Sequence, residues 1–234
     1  MRVGVVVFPG SNCDRDTARA LARAGAVVPM LWHQDHRLAP DLDAVILPGG
    51  FSFGDHLRAG AMAAVSPIMG AVRDFARAGG PVLGICNGFQ ILLEAGLLPG
   101  AMVPNRSDRF VCRPAHVRAA HARGPWMRAF ETGDVVGLPV AHARGQYVLE
   151  PEALRQLWQR EQVLWQYCQP DGALDPAANP NGSVDHIAGI CNLGGNVVGM
   201  MPHPERASFE HLGRTDGALI WDGLARAVAA ARGA

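Results

Sequence analysis

A cysteine with a glycine two residues to either side, Gly84-Ile-Cys-Asn-Gly88, sits where an apolar run, Val82 to Ile85, gives way to a helical stripe at Phe89, Leu92 and Leu93. The spacing predicts a sharp strand-to-helix turn at Cys86. Such an elbow lifts the thiol out of the top of a sheet. It also sets the sulfur beside the free N–H groups and positive dipole end of the helix, which favour thiolate over thiol. Gly84 and Gly88 remove Cβ atoms that would crowd the turn. The chemistry offered is covalent catalysis by a sulfur nucleophile. The competing reading is a buried structural cysteine at a strand end, but glycines placed symmetrically about it have no packing rationale of their own.

A sulfur nucleophile needs a base, and Met201-Pro-His-Pro-Glu-Arg206 supplies a candidate. Prolines on both sides of His203 bias it to an extended conformation and hold the imidazole in place. Glu205 follows near a predicted helix N-terminus, where a carboxylate is favoured. From there it could accept a hydrogen bond from one ring nitrogen and leave the other to take the proton of Cys86. His203 alone among nine histidines would be weak evidence; the loop around it and the distant elbow give it weight. A metal centre fits less well. The cysteines and histidines lack the close ligand pairs of zinc sites, and His33 with His36 is the nearest approach.

These residues must be carried by a scaffold that brings distant loops together. Val3 to Phe8, Val27 to Trp32, Asp43 to Leu47 and Val82 to Ile85 read as strands, with helical stretches between them. The first of those helices is expected to be capped by Asp14, to carry Ala18, Leu21, Ala22 and Ala26 on one face, and to close at Gly25. Alternation of this kind predicts an α/β fold with a doubly wound, mostly parallel sheet, whose ligands lie outside the carboxyl ends of the strands. Cys86 lies at such an end, and Leu47-Pro-Gly-Gly-Phe-Ser-Phe-Gly-Asp55 follows another. Its consecutive glycines either bring bare N–H groups close to a substrate or form an ordinary turn. Residues 102 to 150 read as smaller, partly antiparallel pieces such as Phe110 to Arg113 and Val135 to Leu138. A helix and the strand Val163 to Tyr167 follow. A Pro- and Gly-rich loop, a hairpin of Ile187–Cys191 with Val197–Met201, and a helix from about Thr215 to Ala231 complete the chain.

Composition narrows the class. The 234 residues suit a single α/β domain spanning 1–234. Basic and acidic residues both number 21, every basic one is arginine, and no basic run offers a phosphate-tracking stripe, so nucleic acid is not an expected partner. Five cysteines without a C-x-x-C pair do not make a closed disulfide framework. With no signal-like segment and no long apolar run, a cytoplasmic protein without a membrane span is expected.

Gly84-Ile-Cys-Asn-Gly-Phe-Gln90 with Pro202-His-Pro-Glu205 resembles the class I, or triad, glutamine amidotransferases, flavodoxin-like α/β enzymes that release ammonia from glutamine. Pro9-Gly-Ser-Asn-Cys-Asp-Arg-Asp16, Pro48 to Asp55, Asn105 to Phe110 and Asn179 to Ser183 narrow the resemblance to the short-form glutaminase subunits of phosphoribosylformylglycinamidine synthases, in purine biosynthesis. The resemblance implies Cys86 as nucleophile, His203 as base then acid, and Glu205 as its orienter. It implies an oxyanion hole from N–H groups at Gly50 or its neighbour and at Asn87, each such donor contributing about 3 kcal/mol. Gln90 would contact glutamine, and the segment from Asn105 through Ser107 to Phe110 would hold its amino and carboxylate ends. The implied partners are a large synthetase subunit and a small accessory subunit, with ATP and magnesium on the synthetase; no P-loop occurs here. One departure stands out. Where relatives often carry His-Gly-Glu-Gly, this chain has His142-Ala-Arg-Gly145, which puts a positive charge in place of a negative one. Rival readings are a glutaminase of another pathway, a stand-alone cysteine hydrolase of similar fold, and an interaction subunit with a dead site.

Overall fold

Four short apolar runs, at residues 3–7, 44–47, 82–85 and 197–200, become strands buried almost completely on both faces, and they form most of the half of the sheet that holds the cysteine elbow. The computed structural model describes residues 1–233. In chain order the first elements are β1 (Val3–Val7), α1 (Asp14–Arg23), β2 (Met30–Trp32), β3 (Ala44–Leu47), α2 (Ala61–Ala64), α3 (Ile68–Arg77), β4 (Val82–Ile85) and α4 (Asn87–Glu94). Then come β5 (Ala101–Val103), β6 (Val111–Ala119), β7 (Val135–His142), β8 (Gln146–Val148) and α5 (Pro151–Gln159). The last are β9 (Val163–Cys168), β10 (Ile187–Cys191), β11 (Val197–Met200) and α6 (Ala218–Arg232).

Nine strands make one sheet in the order β2-β1-β3-β4-β11-β10-β9-β6-β7. The five from β2 to β11 run parallel, and each junction from β11 to β7 is antiparallel. Parallel strands end at one common edge, so the residues that follow β1, β3, β4 and β11 are gathered there whatever their distance in the chain. β3, β4 and β11 are immediate neighbours, with Leu47 beside Gly84 and Met200 beside Ile85. The loops carrying Gly50, Cys86 and His203 therefore emerge side by side, at the roughly 4.8 Å spacing of adjacent strands. No helix among the described residues is long and apolar enough to cross a membrane.

Several elements differ from the sequence reading. The helix after β1 is preceded by Cys13 rather than capped by Asp14; Asp14 and Asp16 lie in its first turn, where the dipole favours them. Ala26 falls past its end, after Gly25 at φ 81°. The second strand is only three residues long, with Val27 joined to the sheet by a lone bridge ahead of Pro29. The middle of the chain is not a set of small pieces: β6 and β7 are nine and eight residues long and extend the main sheet. Among the described residues only β5 and β8 form a separate, two-stranded sheet.

Candidate active site

The elbow is built by close approach of backbone. A Cβ on Gly88 would lie 1.9 Å from the carbonyl oxygen of Leu47, and one on Gly84 would lie 2.5 Å from that of Gly88. Glycine at both positions lets α4 descend onto β3 and β4. Cys86, between strand and helix, is forced to φ 51° and ψ −103°. A non-glycine residue there stores about 1–3 kcal/mol of strain, which the buried surroundings hold in place. Its N–H donates to Met200 O at 2.7 Å, fixing the elbow to β11. The Sγ atom, 5% exposed at the residue level, points its hydrogen toward Ala141 O at 3.7 Å.

His203 leaves β11 two residues beyond Met201. Its N–H donates to Pro139 O on β7 at 2.9 Å, so the loop is tied to both halves of the sheet. Its Nδ1 lies 2.6 Å from Glu205 Oε1, and both side chains are buried. Burial alone would lower the His203 pKa, but the charge of Glu205, then Cys86, together with contacts to Cys13, holds it well above the ordinary histidine value. With Nδ1 engaged, Nε2 is buried without a hydrogen-bond partner among the described residues. Cys86 and His203 line the same cavity, about 200 Å³ in volume.

Amide side chains frame this cavity. Asn87 Oδ1 accepts from Ser52 N at 3.1 Å, Asn87 Nδ2 donates to Gln90 Oε1 at 2.9 Å, and Gln90 Nε2 donates to Arg144 O at 2.6 Å. The loop after β3, the elbow helix and the segment after β7 are thereby linked in one chain of bonds. The exposed rings of Phe51 and Phe110 stand 6.5 Å apart at the cavity's margin.

Residues 1–214 match the family described as the CobB/CobQ-like glutamine amidotransferase domain. The chain belongs to that family. Among relatives, this amidotransferase is 54% identical over 226 residues to phosphoribosylformylglycinamidine synthase subunit PurQ of Acaryochloris marina, covering 96% of this chain and 95% of that protein. It is 55% identical over 218 residues to the subunit of the same name from Moorella thermoacetica, covering 93% and 92%. Among solved structures it superposes on a chain of PurLQS from Thermotoga maritima with a TM-score of 0.85 at 39% identity, over 96% of this chain and 97% of that one.

In the amidotransferase, Gly50, Gln90 and Phe110 line the cavity that holds Cys86 and His203. Asn87 heads α4, and its N–H is one of the four that a helix leaves without an intrahelical partner. Its side chain is a brace behind the pocket. Asn105 does not reach the cavity. Its amide nitrogen donates to Arg109 O and His142 O, and its oxygen accepts from Gly145 N and contacts His142 Nδ1, which uses all its capacity to shape the neighbouring loop. Ser107 lines a different cavity, with Asn179 to His186. Neither of these two expected substrate contacts lines the cavity that holds Cys86, because the turn at 105–110 packs on the 179–183 loop and offers only Phe110 to it.

Sequence reasoning assigned no role to Cys13, Asp55, His142 or Arg206, all of which line the cavity. Cys13 Sγ accepts from Arg206 Nη2 at 3.0 Å. Cys13, His203 and Glu205 also bring ligand-type atoms within 4.8 Å of one another, a cluster that spacing in the chain could not reveal. The Arg206 guanidinium against Cys13 opposes a cation at that point. His142 is buried, and desolvation followed by the charge of His203 lowers its pKa to about 4. The signal for Cys13 and Asp55 was their place in loops that follow β1 and β3.

Proposed function

We propose that the chain acts as a single amidotransferase domain that hydrolyses glutamine through a Cys86 thioester and passes ammonia to a synthetase subunit. The observation that carries this reading is the 2.6 Å contact between His203 Nδ1 and Glu205 Oε1, which leaves Nε2 unengaged in the cavity that contains Cys86. In the first step the thiol proton passes to Nε2 and sulfur forms a bond to the side-chain amide carbon of glutamine. N–H groups at Gly50 and Asn87 receive the oxyanion. Protonated His203 then gives its proton to the departing nitrogen, the C–N bond breaks, and ammonia leaves. Water, deprotonated by the same imidazole, attacks the thioester; the C–S bond breaks and glutamate and free Cys86 are restored. Glu205 holds the ring and offsets its positive charge throughout.

The relatives named above are subunits of phosphoribosylformylglycinamidine synthase, and the solved neighbour is part of PurLQS. By that likeness ammonia goes to a large synthetase subunit that converts formylglycinamide ribonucleotide to its amidine, with a small third subunit assisting, in the cytoplasm. ATP and magnesium belong to the synthetase, and this chain carries no cofactor or metal of its own. Exposed Phe51 and Phe110 give the mouth of the cavity an apolar rim suited to a partner's cover. The test is synthesis by the assembled complex. Cys86→Ala abolishes product formation from glutamine and preserves it from ammonium salts; full synthesis from glutamine in that variant overturns the assignment.

A further inference from the structure

Two opposite charges share the cavity without meeting. Asp55 and Arg144 both line it beside Cys86. Burial, the larger effect, raises the Asp55 pKa, while the nearby charge of Arg144 lowers it, so the two groups feel each other. Among the described residues, however, no ion pair joins them. Among the same residues Asp55 Oδ1 is buried with no hydrogen-bond partner. A carboxylate oxygen left unpartnered out of water is costly, and a compensating group is expected when the pocket is filled.

The backbone holds both residues where they are. Phe53, Asp55 and Leu57 have φ of 53°, 55° and 67°, a conformation that L side chains avoid, and the Ser52 bond to Asn87 pins this loop to the elbow helix. Arg144 is fixed through its carbonyl by Gln90. The substrate supplies what is missing. Glutamine carries its reacting amide at one end; three carbon–carbon bonds away, its α carbon bears an ammonium and a carboxylate.

We propose that Asp55 accepts a hydrogen bond from the α-ammonium of bound glutamine and Arg144 donates to its α-carboxylate, so that the substrate zwitterion completes the separated pair. This rests on the glutaminase reading above. It moves recognition of the amino-acid end from the 105–110 segment, where Asn105 is fully engaged and Ser107 faces another cavity, to the loops after β3 and β7. It also gives a use to the arginine that stands where relatives often carry glutamate: a guanidinium fork matches a carboxylate.

The test is steady-state glutaminase kinetics of the complex with its synthetase subunit, using wild type, Asp55→Asn and Arg144→Gln. The ligands are glutamine, glutaramate, which lacks the α-amino group, and glutamine α-amide, which lacks the α-carboxylate. Loss of one charge-assisted contact raises KM for glutamine roughly ten- to hundredfold in each variant. Asp55→Asn leaves KM or Ki for glutaramate within about threefold of wild type, and Arg144→Gln does the same for the α-amide, because each contact is already absent there. An unchanged KM for glutamine, or an equal penalty on the matching analogue, overturns the proposal. Should Asp55→Asn fail to fold, the exposed Arg144 and the α-amide carry the comparison. Wild-type turnover of glutamine, set against Cys86→Ala, tests the glutaminase reading separately.

Discussion

The side-chain amide of Gln90 donates to the main-chain carbonyl of Arg144 at 2.6 Å and links the elbow helix to the segment after β7. Since Gln90 also accepts from Asn87, one side chain keeps two walls of the cavity at a set distance. Gln90→Leu fills similar space but leaves a buried amide and a carbonyl without partners, at about 1–3 kcal/mol for each. The expected result is a fall of tenfold or more in kcat/KM for glutamine, read in a coupled ammonia assay. Gln90→Glu, which aims a carboxylate at the Arg144 carbonyl, is expected to be worse.

The His203–Glu205 pair makes stability depend on pH. The folded pKa of His203 lies well above 6.5, so the stabilisation it brings is fully present below pH 6.5 and is lost as pH rises through the folded value. Glu205→Gln removes the largest of the influences that raise it and leaves burial opposed only by Cys86 and Cys13. Urea unfolding from pH 6 to 9 is expected to show a gap between wild type and Glu205→Gln that is widest at the acid end and narrows upward.

His142 acts in the opposite sense. Its folded pKa of about 4 lies below the unfolded value of 6.5, so the folded state loses stability as pH falls between the two. The full loss amounts to about 3 kcal/mol by linkage. His142→Gln lacks this titration. Unfolding free energies at pH 7 and pH 4 are expected to differ less in that variant than in wild type, by about that amount.

Two glycines give a contrast in packing. At Gly88 an added methyl group meets the Leu47 carbonyl at 1.9 Å, backbone against backbone, and Gly88→Ala is expected to cost about 3 kcal/mol or more, with loss of glutaminase activity. Gly70, exposed on α3, has nothing within 4 Å of the same added atom. Gly70→Ala is expected to stabilise the chain by about 0.5–1 kcal/mol through helix propensity. Thermal melts of the two variants check both signs.

What could be read in the sequence was local in cause. β4 and the elbow carry their own pattern of apolar residues and glycines, and the β10–β11 hairpin carries its own turn, so both match the structure closely. β6 and β7 were hidden for a local reason too. Pro114 and Pro139 interrupt them and lie opposite each other in the ladder. Proline is tolerated there because β7 is an edge strand and β6 pairs with β9 only from His116 onward. Cys86, His203 and Glu205 were legible as a group because each has a distinctive neighbourhood in the chain. Asp55, Cys13 and His142 were not, since their part in the cavity comes from strand order, which no short stretch of sequence records.

The cavity takes its walls from both halves of the sheet: Cys86 and His203 follow β4 and β11, while Ala141 to Arg144 arrive from the outermost strand. Under the roles proposed above, turnover and substrate grip are separable properties of this architecture. Drift along the outer rim can retune how tightly an amino acid is held and leave the thiol and its imidazole in place.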